Sequence, residues 1–505
     1  MTAPSRAEPP SLASSLHFWA RNAANESALL RAALQLGLLD ALPVTGQGAP
    51  IELSRLVERL GTSPRGLRSL LELLVGLGFV RQEPVRTFAL EPAVAALLVD
   101  PPFRARLQAE LPWWRPLGML DEAVKRGEPV EHGGQRWDVL DHLRELFLSP
   151  APISALPGAE DFFDRFARSA ARTQVLISAA RLGVLEALAA SARTVSELGA
   201  ATYMSSTGLR MLLEVLEHLG LTAPGNGGTW GLSPEAGQLL AGKALPYLVR
   251  SMFVSAQYTE ALGALDETVR TERFILDLKD PEVSRRFYAD NSTQITEVFV
   301  SHLKLSLRAA QTVAQARPLE GARVLDIGTG SGVWGGAFAR ATPTTHVTYF
   351  DQEVVLEQVR RNVTNILKVS SRARFWPGNL FEQDFGEAEF DVIILPQVLN
   401  VLRPEGLPDI FSRVARALRP DGLLVIAEYV LNERRDGPLD HLYFGLRRFL
   451  TNEGDLLTAS EYAALLSDVG LTRSVCIPLP TQELILAARP GVTLPTQLAP
   501  PPTAA

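Results

Sequence analysis

The stretch "VLDIGTGSGVWGGAFARA", Val324 to Ala341, decides how the rest of this 505-residue chain is read. Val324 to Ile327 form a short run suited to a buried strand. Gly328, Gly330 and Gly332 make a tight turn, and the apolar residues from Val333 begin a helix. A bare backbone at a helix N-terminus lets a nucleotide-type cofactor approach closely. The glycines follow Asp-x-Gly-x-Gly-x-Gly, with Asp326 two residues before the first of them, rather than the G-x-G-x-x-G of dinucleotide sites. That spacing favours S-adenosylmethionine over NAD.

Downstream, strand and helix patterns alternate. "HVTYFD" ends at Asp351, 23 residues beyond Gly328, where an acid can accept both ribose hydroxyls; Gln352 follows it. "ARFWPGNLF" places Asn379 and Leu380 after a turn glycine, able to hydrogen-bond and cover a base. "DVIILPQVLNVL", Asp391 to Leu402, is a buried strand whose last polar residue is Asn400. "GLLVIAEYVL" follows the turn "ALRPDG" and carries Glu428 at its C-terminal end, where α/β sheets place ligands.

Upstream lies a repeat. "GLRSLLELLVGLG" (Gly66 to Gly78) recurs as "GLRMLLEVLEHLG" (Gly208 to Gly220) at an offset of 142, and "FALEPAVAALL" recurs at the same offset as "WGLSPEAGQLL". "LQLGLLDAL" matches "ARLGVLEAL", and "PLGMLDEAV" matches "ALGALDETV", after small indels. Leu67, Leu70, Leu71 and Leu74 are spaced for one helix face, and Ser63 with Pro64 supplies an N-cap and a first-turn proline. "FVRQEPVRTFAL" and "LTAPGNGGTWGL" each read as a hairpin. Helices followed by a β-hairpin make a winged-helix pattern. A groove-reading helix needs several Arg, Lys, Asn or Gln on one exposed face. The copies offer mainly Arg65 and Arg68, or Arg210 alone, so packing or dimerisation is preferred to DNA readout.

A composition of 46% hydrophobic and 21% charged residues is ordinary for a soluble globular protein. The net charge is −7 and no long basic run is present, which argues against a nucleic-acid partner. A single cysteine, Cys476, precludes an internal disulfide framework and fits a cytoplasmic location. No membrane partner is expected, because neither a signal-peptide core nor an apolar run of roughly 18 residues occurs. His and Cys lack metal-ligand spacing, so no metal is expected. "PGVTLPTQLAPPPTAA", residues 490–505, is Pro-rich and is expected to be disordered.

With these motifs in place, residues 323–489 resemble the catalytic domain of class I S-adenosylmethionine-dependent methyltransferases, specifically small-molecule O-methyltransferases with an N-terminal winged-helix dimerisation domain. "PEVSRRFYADNSTQITEVFVSHL" resembles that family's interdomain helices, and "ALLSDVGLTRSVCIPLPTQELILAARP" its final helix and antiparallel strand pair. The resemblance implies an α/β fold: a Rossmann-like seven-stranded methyltransferase domain at the C-terminus, preceded by two tandem, mainly helical winged-helix modules. The expected organisation is 1–14 disordered, 15–159 the first module, 160–310 the second with interdomain helices, 311–489 the methyltransferase domain and 490–505 a disordered tail. The resemblance further implies that Asp326, Gly328 and Gly330 hold the methionine end of the cofactor, Asp351 the ribose, and Asn379 and Leu380 the adenine. Many relatives have Asp where Asn379 stands; the swap keeps hydrogen bonding and loses charge. A homodimer is the family's habit. The extra module either adds to that interface or substitutes for a partner's module within one chain.

The catalytic pattern departs from the family's. Where relatives carry a general-base His, this chain has Asn400, followed by Val401 rather than Asp. Glu428 matches the first flanking Glu, and Leu456 stands where the second belongs. His441, in "DGPLDHLYFGLRRF", lies on the helix that lines the substrate pocket in the family, and could serve as a site group or be a partly exposed surface residue. Tyr429, Tyr443, Arg447 and His302 are read as structural. The function expected is methyl transfer to an oxygen of a small aromatic or polyketide-like metabolite without the usual His. The alternatives are C-methylation, a cofactor-binding scaffold with non-methylating chemistry, and, more remotely, a winged-helix regulator.

Overall fold

The computed structural model describes residues 11–500 apart from 84–85, 243, 281, 284–285 and 288–291, and, of the side chains between 291 and 301, only that of Phe299. The expectations for residues 1–10 and 501–505, for the first hairpin's tip and for parts of the interdomain helices lie outside these residues. The chain forms two compact units, Met1–Leu276 and Asp277–Ala505.

The N-terminal unit is mainly helical. Helices α1 (Leu12–Arg21) and α2 (Ala23–Gln35) lead to strand β1 (Ile51–Glu52), helices α3 (Leu53–Leu60) and α4 (Pro64–Gly76), strands β2 (Val80–Glu83) and β3 (Thr87–Leu90), and α5 (Leu120–Arg126). The Ser63 hydroxyl accepts the Gly66 N–H at 2.9 Å and starts α4, Pro64 presets its first turn, and Leu67, Leu70, Leu71 and Leu74 are buried. Further on come α6 (Ser169–Arg181), β4 (Arg193–Thr194), α7 (Val195–Thr202), α8 (Ser206–His218), β5 (Thr222–Pro224), β6 (Thr229–Leu232) and α9 (Leu265–Thr271). The two three-stranded sheets of this unit are antiparallel, with orders β1-β3-β2 and β4-β6-β5. Of the basic residues considered for a DNA groove, the two in the first copy are engaged within the unit, Arg65 with Glu272 at 3.5 Å and Arg68 with Glu72 at 3.9 Å, while Arg210 in the second copy is exposed.

The C-terminal unit is a three-layer sandwich. Its elements are α10 (Ser292–Ala316), β7 (Arg323–Ile327), α11 (Val333–Ala341), β8 (His346–Asp351), α12 (Glu353–Asn362), β9 (Ala373–Pro377), β10 (Phe390–Pro396), α13 (Leu407–Ala417), β11 (Leu418–Glu428), α14 (Leu439–Thr451), α15 (Ala459–Asp468), β12 (Arg473–Pro478) and β13 (Glu483–Ala488). The seven strands run β9-β8-β7-β10-β11-β13-β12, parallel except that β13 is antiparallel to both neighbours. Strand side chains alternate between two cores. Val392, Ile394, Leu423 and Val425 face α10, α11 and α12, whereas Ile393, Leu395, Leu424 and Ile426 face α13 and α15. The order reverses between β7 and β10, and a crevice at such a switch point is where open α/β sheets bind ligands.

Two boundary expectations change. The helix Ser292–Ala316, expected with the second N-terminal module, belongs to the C-terminal unit, because Ala309, Ala310 and Val313 pack into the sheet's core. The segment expected to be disordered from residue 490 is packed as far as it is described. Leu494 and Ala499 are buried, the Ala499 N–H donates to Thr312 Oγ1 at 2.9 Å, and Arg308 Nη2 donates to the Ala499 carbonyl at 3.2 Å. A Pro-rich extended segment needs no period of its own to lay two apolar residues along a helix.

Phe338 on α11 is fully buried in the core beneath the glycine turn. Phe338→Ala should destabilise this unit by about 3–5 kcal/mol, measurable as a lower urea midpoint for its unfolding.

Candidate active site

The turn after β7 is built by its own sequence. Asp326 is wholly buried, and its Oδ2 accepts the Thr329 hydroxyl and the Gly335 N–H, both at 2.8 Å. Burial pushes its carboxyl up to about 7 against these two donors. Gly328 (φ +67°) and Gly330 (φ +53°) take left-handed conformations that side chains resist. A Cβ on Gly328 would lie 2.5 Å from Val398 Cγ2, so this turn closes against the loop after β10. Asp351, at the end of β8, braces the turn from its other side: its Oδ2 accepts the Gly330 N–H at 3.1 Å and its Oδ1 the Gln352 N–H at 2.8 Å. Burial raises the Asp351 carboxyl, opposed by those two N–H groups.

These residues fit S-adenosylmethionine. Gly330 is exposed and Gly328 half-buried, so the backbone is open to a ligand there, and Asp351 is half-buried with carboxylate lone pairs to spare beyond the two N–H bonds. Asn379 is exposed after β9; its Oδ1 accepts the Phe381 N–H at 3.1 Å and its Nδ2 donates to Glu382 at 3.1 Å. Leu380 is half-buried, its carbonyl held by Arg413 at 2.8 Å. Val354 and Phe381 are unusually exposed apolar residues, at 71% and 69%, close in sequence to Asp351 and Asn379. The sequence reading passed over both. Phe381 was legible as an aromatic next to Leu380, but its exposure was not. Asp326, expected at the methionine end of the cofactor, is sealed beneath the turn, its Oδ2 bracing the turn and its Oδ1 buried without a hydrogen-bond partner.

A second cluster closes the neighbouring strand ends. Asn400 and Glu428 are both buried. Asn400 Nδ2 donates to Glu428 Oε2 at 2.9 Å and Oε1 at 3.1 Å, and the N–H groups of Leu399, Asn400 and Tyr429 donate to the same carboxylate at 3.0, 3.3 and 3.3 Å. Burial pushes the Glu428 carboxyl up to about 7 despite these donors. Every neighbour bonded to Glu428 is a donor, so the Asn400 amide must turn its nitrogen inward. Its Oδ1 is then left on the opposite corner, buried and without a hydrogen-bond partner. Gln397, beside this loop, holds a left-handed φ of +56° and donates to Gln482; sequence reading missed it, and a strained residue at a strand end is a recurrent mark of a working site.

His441 is buried at 6% exposure rather than on the surface. Its Nδ1 lies 2.8 Å from the Val430 carbonyl and 3.7 Å from Glu483 Oε2, and its ring packs edge-on against Tyr429. A carbonyl only accepts, so Nδ1 carries the proton and Nε2 is the acceptor in the neutral ring. Leu456 is buried, its carbonyl held by Arg435 at 2.9 Å. His302 is buried beside Trp334, with its imidazole lowered to about 4 by burial, which keeps it neutral. Among the described residues no group of three or more His, Cys, Asp or Glu is placed to hold a metal, and no single helix is long and apolar enough to cross a membrane.

Comparison with known proteins bears on both clusters. The O-methyltransferase domain family matches residues 279–472, and the O-methyltransferase dimerisation domain family matches residues 21–100. Acetylserotonin O-methyltransferase of Mus musculus is 27% identical over 340 residues, covering 63% of this chain and 86% of that protein. Mitomycin biosynthesis 6-O-methyltransferase of Streptomyces lavendulae is 27% identical over 329 residues, covering 64% and 93%. Among solved structures, an O-methyltransferase family protein from Burkholderia thailandensis superposes with TM-score 0.53 at 19% identity, over 67% of this chain and 98% of that one. Human N-acetylserotonin methyltransferase, solved in complex with S-adenosylmethionine, gives TM-score 0.51 at 21% identity, over 66% and 99%. Nearly complete relatives thus cover only about two thirds of this chain. With the dimerisation and catalytic family matches falling in chain order and together spanning more than half of the sequence, the chain belongs to the S-adenosylmethionine-dependent O-methyltransferases that act on small molecules.

Proposed function

We propose that the enzyme methylates an oxygen of a small aromatic or polyketide-like metabolite, and that Asn400 orients this oxygen without removing its proton. The observation that carries the reading is the Asn400 carboxamide: clamped through Nδ2 by Glu428, it keeps a buried, unpaired Oδ1 at the end of the active-site strand. Gly328 and Gly330, with Asp351 and Gln352 for the ribose and Asn379, Leu380 and Phe381 for the base, would hold S-adenosylmethionine, which would supply an electrophilic methyl group. Asn400 Oδ1 accepts a hydrogen bond from the substrate hydroxyl and directs a lone pair toward that methyl. Glu428 acts through Asn400 as a positioning residue, since its own oxygens are enclosed by N–H donors. No side chain takes the acceptor's proton in this reading; it passes to solvent as the oxygen gains the methyl group.

Loss of a general base costs about 10²- to 10⁴-fold, roughly 3–5 kcal/mol of barrier. Positioning alone supplies about 7–11 kcal/mol. Transfer therefore proceeds, but it selects acceptors more acidic than a simple phenol, whose pKa is near 10.

The test is turnover with methyl-labelled cofactor across phenols and enols of graded pKa. The rate should rise as acceptor pKa falls, and Asn400→His should speed the weakly acidic acceptors while leaving the acidic ones little changed. Rates independent of acceptor pKa, or products methylated at carbon, would overturn the proposal. Asn400→Ala should lower kcat by only about tenfold, consistent with the loss of one neutral hydrogen bond of about 1 kcal/mol; a loss of several orders of magnitude would give Asn400 a role beyond orientation.

A further inference from the structure

The N-terminal unit contains the same docking contact twice, in exchanged form. At the start of α4 the Ser63 N–H donates to the Val269 carbonyl of α9 at 3.1 Å, and a Cβ on Gly66 would lie 2.4 Å from that oxygen. At the start of α8, 142 residues later, the Ser205 N–H donates to the Lys125 carbonyl at 2.9 Å and the Ser205 hydroxyl to the Val124 carbonyl at 3.0 Å. A Cβ on Gly208 would lie 2.2 Å from that Val124 oxygen. Val124 and Val269 close the matched segments "PLGMLDEAV" and "ALGALDETV". The helix of the earlier segment therefore docks on the last helix of the later one, and the helix of the later segment on the last helix of the earlier one. Contact of i with j′ and of j with i′ is the mark of a two-fold, self-complementary interface.

The centre of the unit follows the same rule. Helices α2 and α6 precede the matched segments "LQLGLLDAL" and "ARLGVLEAL" and pack on each other: the Ser27 hydroxyl donates to the Phe166 carbonyl at 2.6 Å and accepts the Ala170 N–H at 2.9 Å. Both helices are buried over most of their length, and Glu26, fully buried, is held by Arg165 through two bonds of 3.0 Å. Arg31 of α2 reaches across to the Gly263 carbonyl at 2.6 Å. Gly66 and Gly208 have to be glycine for this arrangement, because any side chain would separate the docked backbones.

We infer that residues 12–276 are an internal pseudo-dimer, in which the first module occupies the surface that the second would otherwise offer to another chain. Of the two roles open to the extra module, substitution for a partner is the one these contacts support. The dimerisation-family match is confined to residues 21–100 and the methyltransferase match begins at 279, so one chain carries a paired dimerisation unit and a single catalytic domain. The working enzyme is a monomer with one cofactor site per 54.9 kDa.

Sedimentation equilibrium of the full chain should give that mass at micromolar concentrations. Cross-linking then locates the contact. In a Cys476→Ser background, Arg65→Cys with Glu272→Cys in one chain should be joined by a short bismaleimide as a single chain carrying one linker and no free thiol. Two co-expressed chains, one with Arg65→Cys and the other with Glu272→Cys, should give no joined species. A two-chain species of the unmodified protein, a cross-link between the two single-cysteine chains, or failure of the double variant to close on itself would each overturn the inference. The unmodified protein's mass stands as a test even where a cysteine variant folds poorly.

Discussion

Asp351→Ala is expected to lower affinity for S-adenosylmethionine by about 10²- to 10⁴-fold while leaving the protein folded. In the proposed reading the carboxylate serves the ribose with the lone pairs not used by the Gly330 and Gln352 N–H groups. Two hydrogen bonds to a charged acceptor are worth about 3–6 kcal/mol, which corresponds to that range of affinity. The variant also frees the Gly330 N–H, loosening the turn on which the cofactor lies. Calorimetric titration reads the affinity and thermal unfolding reads the fold; an affinity within threefold of the wild type would refute the assignment. Because burial raises this carboxyl above its ordinary value, wild-type affinity should weaken as pH falls, since protonation removes acceptor capacity, and the variant should lack that dependence.

Glu428→Gln is expected to reduce kcat by about 10²- to 10³-fold with a smaller change in KM, as expected when pre-organisation rather than uniform binding is lost. A glutamine presents one acceptor oxygen and one NH₂ group to a shell made only of donors: the Leu399, Asn400 and Tyr429 N–H groups and Asn400 Nδ2. One donor must face another, and the Asn400 amide loses its fixed orientation. Near-wild-type kcat would show that this clamp does not position the acceptor. The pH dependence of stability provides a separate check. The Glu428 carboxyl stands at about 7 in the fold against 4.5 for an ordinary Glu. The raised value means that its contribution to stability is fully present below 4.5 and is lost as pH rises through 7. The stability difference between wild type and variant should therefore narrow by up to about 3 kcal/mol over that interval. A gap that widens with pH would mean that the carboxylate is the favoured buried form.

The parts of the molecule that rest on local patterns were legible in the chain. Strand β7, the glycine turn and α11 follow one another between Arg323 and Ala341, and each is encoded by its own run of apolar residues or glycines. Asp351, at the end of the adjacent strand, falls at a sequence distance set by one βαβ step. The 142-residue offset exposed the repeated segments before any contact was known.

What lay beyond the sequence depends on which distant segments meet. The absence of His at position 400 was visible, but the clamp between Asn400 and Glu428, and the unpaired Oδ1 it leaves, exist only because β10 and β11 lie side by side in the sheet. His441 had to be left as either a site or a surface residue until Val430 and Tyr429 were seen to enclose it. Leu494 and Ala499 looked disordered because a segment without a period advertises no partner, and α10 supplies one. The fold class, the glycine turn and the presence of Asn rather than His at position 400 could be read from the sequence alone, since periodicity, glycine placement and residue identity are local properties. The tertiary structure alone decided that Asp326 is a buried brace, that Asn400 is oriented by Glu428, and that the helices of the two repeats exchange partners. Those outcomes rest on burial and on hydrogen bonds between residues far apart in the chain, such as Ser63 and Val269 or Arg31 and Gly263, which are 232 positions apart, and no local pattern specifies such pairs.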